Sequence, residues 1–145
     1  MTPNVSWVLK EAAEISSRPD KVKYLQENET EVLKQVLRLA FDKRINWLVP
    51  RGRIEYTKCL TTYKNNMFYN RARELYMYLE GGAPNMPQEK REKKFIALLE
   101  EIHPDDARML IWAKNNRDKD RINPYKTLTR NIVSEAFPGL LPDVE

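Results

Sequence analysis

The sequence contains a single cysteine and a single histidine, Cys59 and His103, among its 145 residues. One cysteine cannot form an internal disulfide, and this pair is too small for the usual Cys/His zinc cluster. No apolar run approaches the ~18 residues of a membrane span, and the N-terminus lacks a signal-peptide pattern. We therefore expect a protein of the reducing cytosol, without membrane association and without a cofactor.

The composition is sufficient for a stable core. Hydrophobic residues make up 41% of the chain and charged residues 32%. A chain of this length fits one domain, because single domains commonly contain ~50 to ~250 residues. We predict one helical domain over residues 1–145.

Apolar residues recur at helical spacing along most of the chain. Val5, Val8, Leu9 and Ala12 lie at positions i, i+3, i+4 and i+7, which is one face of a helix. Similar apolar faces occur within residues 33–41, 68–79, 95–102, 109–113 and 128–137, and Pro19 is typical of the first turn of another short helix. The pattern predicts an all-α, single compact domain of about six to seven short helices, closed by the docking of residues 128–137.

Residues 45–65 do not follow this pattern. Alternating apolar residues lie on both sides of the turn signal Pro50-Arg51-Gly52. A short β-hairpin near residues 45–57 and an ordered irregular connection are equally compatible with this stretch.

The chain also contains a weak internal similarity. Residues 21–44 placed on residues 94–117 without gaps match at six of twenty-four positions. Chance and a shared helix-pair pattern are the favoured explanation. A true duplication would correspond to two stacked helical-hairpin units.

The residues around His103 do not form a catalytic pattern. Glu100, Glu101, Asp105 and Asp106 could together attract magnesium, but two acids at the end of one helix and two at the start of the next explain them better. A histidine next to proline at a helix boundary is first of all a capping residue. A small hydrolase or nuclease is therefore the third and least favoured functional class.

Positive charge is concentrated in the middle and late parts of the chain. Residues 51–131 carry 17 Lys/Arg against 11 Asp/Glu, and the whole chain has a net charge of +4. Phosphates require positive charge, and exposed aromatic rings stack on bases. The alternative is a set of solvated charged faces with tyrosines half in the core. The candidate residues for binding a partner or nucleic acid are Arg51, Arg53, Lys58, Arg71, Lys114, Arg117, Lys119, Arg121, Tyr125, Lys126 and Arg130.

A protein partner is compatible with the same composition. Three tryptophans and seven tyrosines exceed the needs of a small helical core, and Trp, Tyr and Arg are enriched at binding hot spots. No sequence-specific DNA or RNA reader is recognisable, so nucleic-acid binding would be mainly electrostatic and salt-sensitive. We rank protein binding first and direct DNA or RNA binding second.

Four motifs in order resemble a known group of proteins. They are Ile45-Asn46-Trp47-Leu48-Val49-Pro50, Leu75-Tyr76-Met77-Tyr78-Leu79-Glu80-Gly81-Gly82, Ile102-His103-Pro104-Asp105-Asp106-Ala107, and Pro124-Tyr125-Lys126 with Leu128-Thr129-Arg130 and Glu135-Ala136-Phe137-Pro138-Gly139-Leu140. The chain resembles a family of small proteins of unknown function from T-even-like tailed bacteriophages, including cyanophages. The resemblance implies a phage protein that acts in the cytoplasm of the infected bacterial host. With protein binding ranked first, we expect a regulatory or inhibitory factor that binds a host or phage protein, its oligomeric state left open.

Overall fold

The computed structural model describes residues 3–50, 54–59, 67–116 and 124–142. Within them the chain forms seven α-helices and one 3₁₀ helix, and these described residues contain no β-strand. The elements are α1 (Val5–Glu14), α2 (Arg18–Glu27), α3 (Glu31–Phe41), α4 (Met67–Arg71), the 3₁₀ helix (Ala72–Tyr78), α5 (Gln88–Glu101), α6 (Pro104–Asn115) and α7 (Arg130–Ala136). The prediction of a compact all-α domain of six to seven short helices is confirmed.

Side chains at the helix starts explain several of these boundaries. Thr30 Oγ1 accepts a hydrogen bond from Leu33 N at 3.0 Å, which caps α3. His103 Nδ1 accepts one from Asp105 N at 3.0 Å and caps α6. Such bonds satisfy amides that have no partner within the first turn of a helix. The prediction that His103 is a capping residue is confirmed.

The core lies where α3 packs against α6. Leu37 of α3 and Leu110 of α6 are fully buried, and α1 and α5 also pack against α6. The Trp112 ring of α6 lies edge-on between two others, with centroids 5.8 Å from Phe41 and 4.8 Å from Tyr125. Edge-to-face aromatic pairs add to the stabilisation that comes from burial alone.

The helix α7 docks against α2, as the apolar face of residues 128–137 predicts. Ile132, Val133 and Ala136 are buried on its inner side. Gln26 Nε2 donates to the Ala136 carbonyl at 3.0 Å, which ties the end of α7 to α2. This segment therefore belongs to the folded domain.

The β-hairpin considered near residues 45–57 is not present in the part of this stretch that the structure describes. Trp47 instead forms an isolated antiparallel bridge with Leu79. Leu48 N donates to Tyr78 O at 2.8 Å, and Glu80 N donates to Asn46 O at 2.9 Å. Residues 54–59 have no regular secondary structure, so an ordered irregular connection is what the described residues show.

The two segments with weak sequence similarity both correspond to helix pairs, α2–α3 and α5–α6. In the second pair, α5 and α6 pack directly against each other, whereas α2 packs against α1 and α7. A duplication therefore stays a hypothesis.

None of the helices in the described ranges is long and apolar enough to span a bilayer.

Candidate functional site

The candidate site is a groove between the C-terminal half of α3, the loop that follows it and the end of the 3₁₀ helix. Its volume is about 300 Å³, at the lower end of the range for small-ligand pockets. The side chains that give it its character are Arg38, Leu39, Arg44, Tyr76, Leu79 and Glu80.

Hydrogen bonds brace the walls of this groove. The bridge between Trp47 and Leu79 holds the loop after α3 against the chain that leaves the 3₁₀ helix. Gln35 Nε2 donates to Ala72 O at 3.2 Å, which ties α3 to the start of that helix. Contacts within the fold therefore hold the two walls of the groove in place.

A buried carboxylate holds two arginines at one wall. Asp42 ends α3, and its side chain is 0% exposed. Arg44 donates to it twice, from Nε to Oδ1 at 3.1 Å and from Nη2 to Oδ2 at 3.0 Å. Arg38, one helical turn before Asp42, places its Nε 3.7 Å from Oδ2. We call Arg38 and Arg44 the arginine pair.

The arginine pair fixes the charge state of Asp42. The side-chain hydrogen bonds from Arg44 hold the pKa of this carboxyl below its ordinary value, against the opposing effect of burial. The side chains of Arg38 and Arg44 remain 55% and 67% exposed. Asp42 therefore stays ionised and orients guanidinium groups that still face solvent.

Tyr76 supplies an accessible aromatic ring to the same groove. It is 53% exposed, and Trp7 on α1, at 51%, is the other exposed large hydrophobic side chain in the described part of the chain. Tyr76 therefore brings an accessible aromatic ring to a groove that Arg38 and Arg44 also line.

Comparison with known proteins places the chain in one family. The sequence profile of a family of unknown function, DUF6433, matches residues 8–120. The chain belongs to the DUF6433 family. No curated protein and no solved structure matches it.

The region that matches the DUF6433 profile contains both walls of the groove. The two walls lie within residues 35–46 and 76–80, whereas α7 lies beyond the matched range. Among the predicted candidates, Tyr125, Lys126 and Arg130 therefore lie outside the family match.

Three of the predicted basic candidates are engaged within the protein. Arg71 Nε donates to Glu74 at 2.8 Å, and Arg71 also pairs with Glu101. Lys114 is buried, with its Nζ 2.7 Å from the Pro50 carbonyl. Their positive charges are therefore partly or wholly used by internal partners.

Arg130 is the third of these candidates. Its Nη1 donates to Phe41 O at 3.0 Å, and its Nη2 donates to Pro142 O. It thus joins the C-terminus of α3 to the last described residues. This contact gives Arg130 a structural role.

Tyr125 lies in the core, where it packs edge-on against Trp112. Burial raises the pKa of its hydroxyl. Tyr125 lies in the turn before α7 and Lys114 near the end of α6, and both side chains are buried. Neither therefore lies on the surface, where a binding residue is expected.

The remaining candidates are either exposed or outside the described residues. Lys58 and Lys126 are exposed, and neither lines the groove. Five candidates lie outside the described residues: Arg51, Arg53, Arg117, Lys119 and Arg121.

Arg38, Arg44 and Tyr76 are not among the candidates that the charge pattern of the sequence predicts. Arg38 and Arg44 lie in the first fifty residues, where positive and negative charges nearly balance. The available signal was local: an Asp at the end of a helix, with an Arg four residues before it and another two residues after it.

Asp106 is the other buried carboxylate among the described residues. Its Oδ1 accepts from Ser6 N at 3.2 Å, so it caps the start of α1 from α6, and within the same part of the chain its Oδ2 has no hydrogen-bond partner. Burial raises its pKa, and hydrogen bonding with Ser6 opposes this more weakly. In the described residues no group of three or more His, Cys, Asp and Glu side chains is placed to hold a metal ion. Asp106 therefore acts as a structural tie between α1 and α6.

Proposed function

We propose that this protein is a non-enzymatic binding factor that recognises a host or phage protein and regulates or inhibits it. The observation that carries the proposal is the arginine pair, held by Asp42 in the same groove as the exposed Tyr76. Arginine and tyrosine are enriched among the residues that contribute most to protein–protein affinity.

The groove is also pre-organised for binding. Asp42 restrains Arg44 through two side-chain hydrogen bonds, and the bridge between Trp47 and Leu79 fixes the opposite wall. Binding here costs less side-chain entropy than binding to freely rotating arginines would, because Arg44 is already ordered. This supports a specific contact at the groove.

The setting that we propose is the cytoplasm of an infected bacterium. It rests on the four motifs that resemble proteins of T-even-like bacteriophages, two of which contribute Asn46, Tyr76, Leu79 and Glu80 to the groove.

Affinity purification from infected host cells tests the proposal. Tagged wild-type protein is compared with the groove variant Arg38→Gln/Tyr76→Ala and with the control variant Lys10→Gln/Trp7→Ala on α1. Both variants remove one exposed cation and one exposed aromatic ring. We expect a partner that the wild type and the control retain and the groove variant loses. Equal retention by the groove variant would refute the proposal.

A second candidate function is direct electrostatic binding of DNA or RNA. It is supported by the net charge of +4 and by the surplus of Lys/Arg over Asp/Glu in residues 51–131. The internal engagement of Arg71, Lys114 and Arg130 reduces the positive charge available for it. Electrophoretic shifts at two salt concentrations test this function. A shift that weakens steeply with salt would promote it above protein binding.

A further inference from the structure

The arginine pair has N–H groups that are not used in its contacts with Asp42. Arg44 uses Nε and Nη2 on Asp42, and within the described residues its Nη1 makes no hydrogen bond. Arg38 contacts Asp42 through Nε alone, which leaves both of its terminal nitrogens available. Guanidinium N–H groups are arranged in a planar fork that matches the two oxygens of a carboxylate.

The charge of the groove disfavours a ligand with more than one negative charge. Asp42 offsets one of the two arginine charges on its wall. Glu80, exposed on the other wall, would repel additional negative charge. A phosphate brings nearly two negative charges, and a carboxylate brings one.

The rest of the groove favours an apolar group beside that charge. Tyr76 lines the groove and is exposed, and the half-buried Leu79 contributes aliphatic surface, whereas Leu39 is buried at its base. An aromatic or aliphatic side chain next to the ligand's carboxylate would pack on this surface.

We infer that the groove binds a side-chain carboxylate of an acidic segment in a protein partner, with the arginine pair on the carboxylate and Tyr76 against a neighbouring apolar residue. This inference rests on the proposed function, because it names the chemistry by which the partner is held.

The test is an NMR titration of the ¹⁵N-labelled full chain, read at the side-chain Nε–H signals of Arg38 and Arg44. These signals are assigned with the variants Arg38→Lys and Arg44→Lys. The probe is acetyl-Phe-Glu-amide, which has a single carboxylate. The matched control probe is acetyl-Phe-Gln-amide, and inorganic phosphate is the third titrant.

We expect saturable shifts with the glutamate peptide and a Kd at least about fivefold lower than that of the glutamine peptide, the effect of about one exposed ion pair. Arg38→Gln should raise the Kd for the glutamate peptide about fivefold, and Lys10→Gln, at an exposed site on α1, should leave it unchanged. Equal affinity for both peptides, no saturable shift with the glutamate peptide, or saturation by phosphate at lower concentration would overturn the inference.

The two proposals fail in different ways. If the glutamate peptide binds but the cellular partner is retained by the groove variant, the carboxylate chemistry stands and the proposed function fails. If the partner is lost by the groove variant but the glutamate and glutamine peptides bind equally, the partner site stands and the carboxylate inference fails.

Discussion

At the scale of single residues, Asp42 and Asp106 are both buried but have opposite surroundings. Asp42 accepts hydrogen bonds from Arg44, which lower its pKa. Asp106 has one oxygen without a hydrogen bond, and burial raises its pKa. Folding therefore favours the ionised form of Asp42 and the protonated form of Asp106.

The substitution Asp42→Asn should destabilise the protein at neutral pH. It removes the charge that receives both hydrogen bonds from Arg44, and we expect a loss of about 1–3 kcal/mol in the free energy of unfolding. Because the folded-state pKa of Asp42 is lowered, the wild-type advantage is present above the ordinary value of 3.8 and is lost as the pH falls through the folded-state value. Urea unfolding of both proteins at neutral and acidic pH measures this. A deficit that does not change with pH would contradict it.

The substitution Asp106→Asn should show the opposite pH dependence. An amide oxygen can still accept from Ser6 N, and the variant carries no carboxyl that must ionise in the core. Because the folded-state pKa of Asp106 is raised, the wild type loses stability as the pH rises from the ordinary value of 3.8 to the folded-state value. The variant should therefore gain stability relative to the wild type over that interval. Urea unfolding of both proteins over a pH series measures the difference in their free energies of unfolding. A difference that does not change with pH would contradict the prediction.

The candidate residues show what could be predicted at this scale. The excess of Lys and Arg in residues 51–131 is visible in the sequence, but their internal partners are not. Lys114 reaches the Pro50 carbonyl across 64 positions, and Arg130 reaches the Phe41 carbonyl across 89. Such contacts depend on how the helices pack, which local charge patterns do not determine.

At the scale of elements, the end of the 3₁₀ helix determines where Tyr76 lies. A Cβ atom at Gly82 would lie only 1.8 Å from the Tyr76 carbonyl oxygen, which is part of the backbone. Gly81, by contrast, has φ +86° and open space around the position of a Cβ. The two adjacent glycines therefore have different requirements.

The substitution Gly82→Ala should displace the end of the 3₁₀ helix and with it Tyr76. We expect a loss of at least about 2 kcal/mol in stability, as for overpacked sites, together with weaker binding at the groove. Gly81→Ala is the matched control, since it should cost about 1–2 kcal/mol from backbone strain and leave the groove binding unchanged. Thermal unfolding and the peptide titration measure the two effects. Equal binding by both variants would show that Tyr76 does not depend on this turn.

The contact made by Arg130 joins two elements that are distant in sequence. Arg130→Ala removes hydrogen bonds to the Phe41 and Pro142 carbonyls and should lower the free energy of unfolding by about 1–2 kcal/mol. Lys126→Ala, at an exposed site, should change it by less than about 0.5 kcal/mol. Chemical denaturation of both variants compares them. If Arg130→Ala changes the free energy of unfolding as little as Lys126→Ala does, the hydrogen bonds of Arg130 do not stabilise the fold.

Helices could be predicted from the sequence where the spacing of neighbouring apolar residues determines them. The apolar spacing in residues 33–41 and 128–137 predicts α3 and α7, and both pack as expected. For residues 45–57 the sequence could not decide between a hairpin and an irregular connection, because the backbone partner of Trp47 is Leu79, more than thirty positions later. The helical spacing in residues 68–79 likewise did not distinguish an α-helix from the 3₁₀ helix that forms most of that stretch.

At the scale of the whole molecule, a net charge of +4 does not translate directly into a basic binding face. Several cations are held by carbonyls and carboxylates inside the fold, as Arg71, Lys114 and Arg130 show. In the part of the chain that the structure describes, Arg38 and Arg44 are accessible arginines that share a groove with an exposed aromatic ring. We therefore propose this groove as the place of partner binding.

The most direct test of that claim is the hydrogen–deuterium exchange footprint of the captured partner on the wild-type chain. We expect slower backbone exchange within residues 35–46 and 76–80, the two walls of the groove, when the partner is bound. Slower exchange confined to α1, α7 or residues 54–59, with both groove walls unchanged, would contradict it.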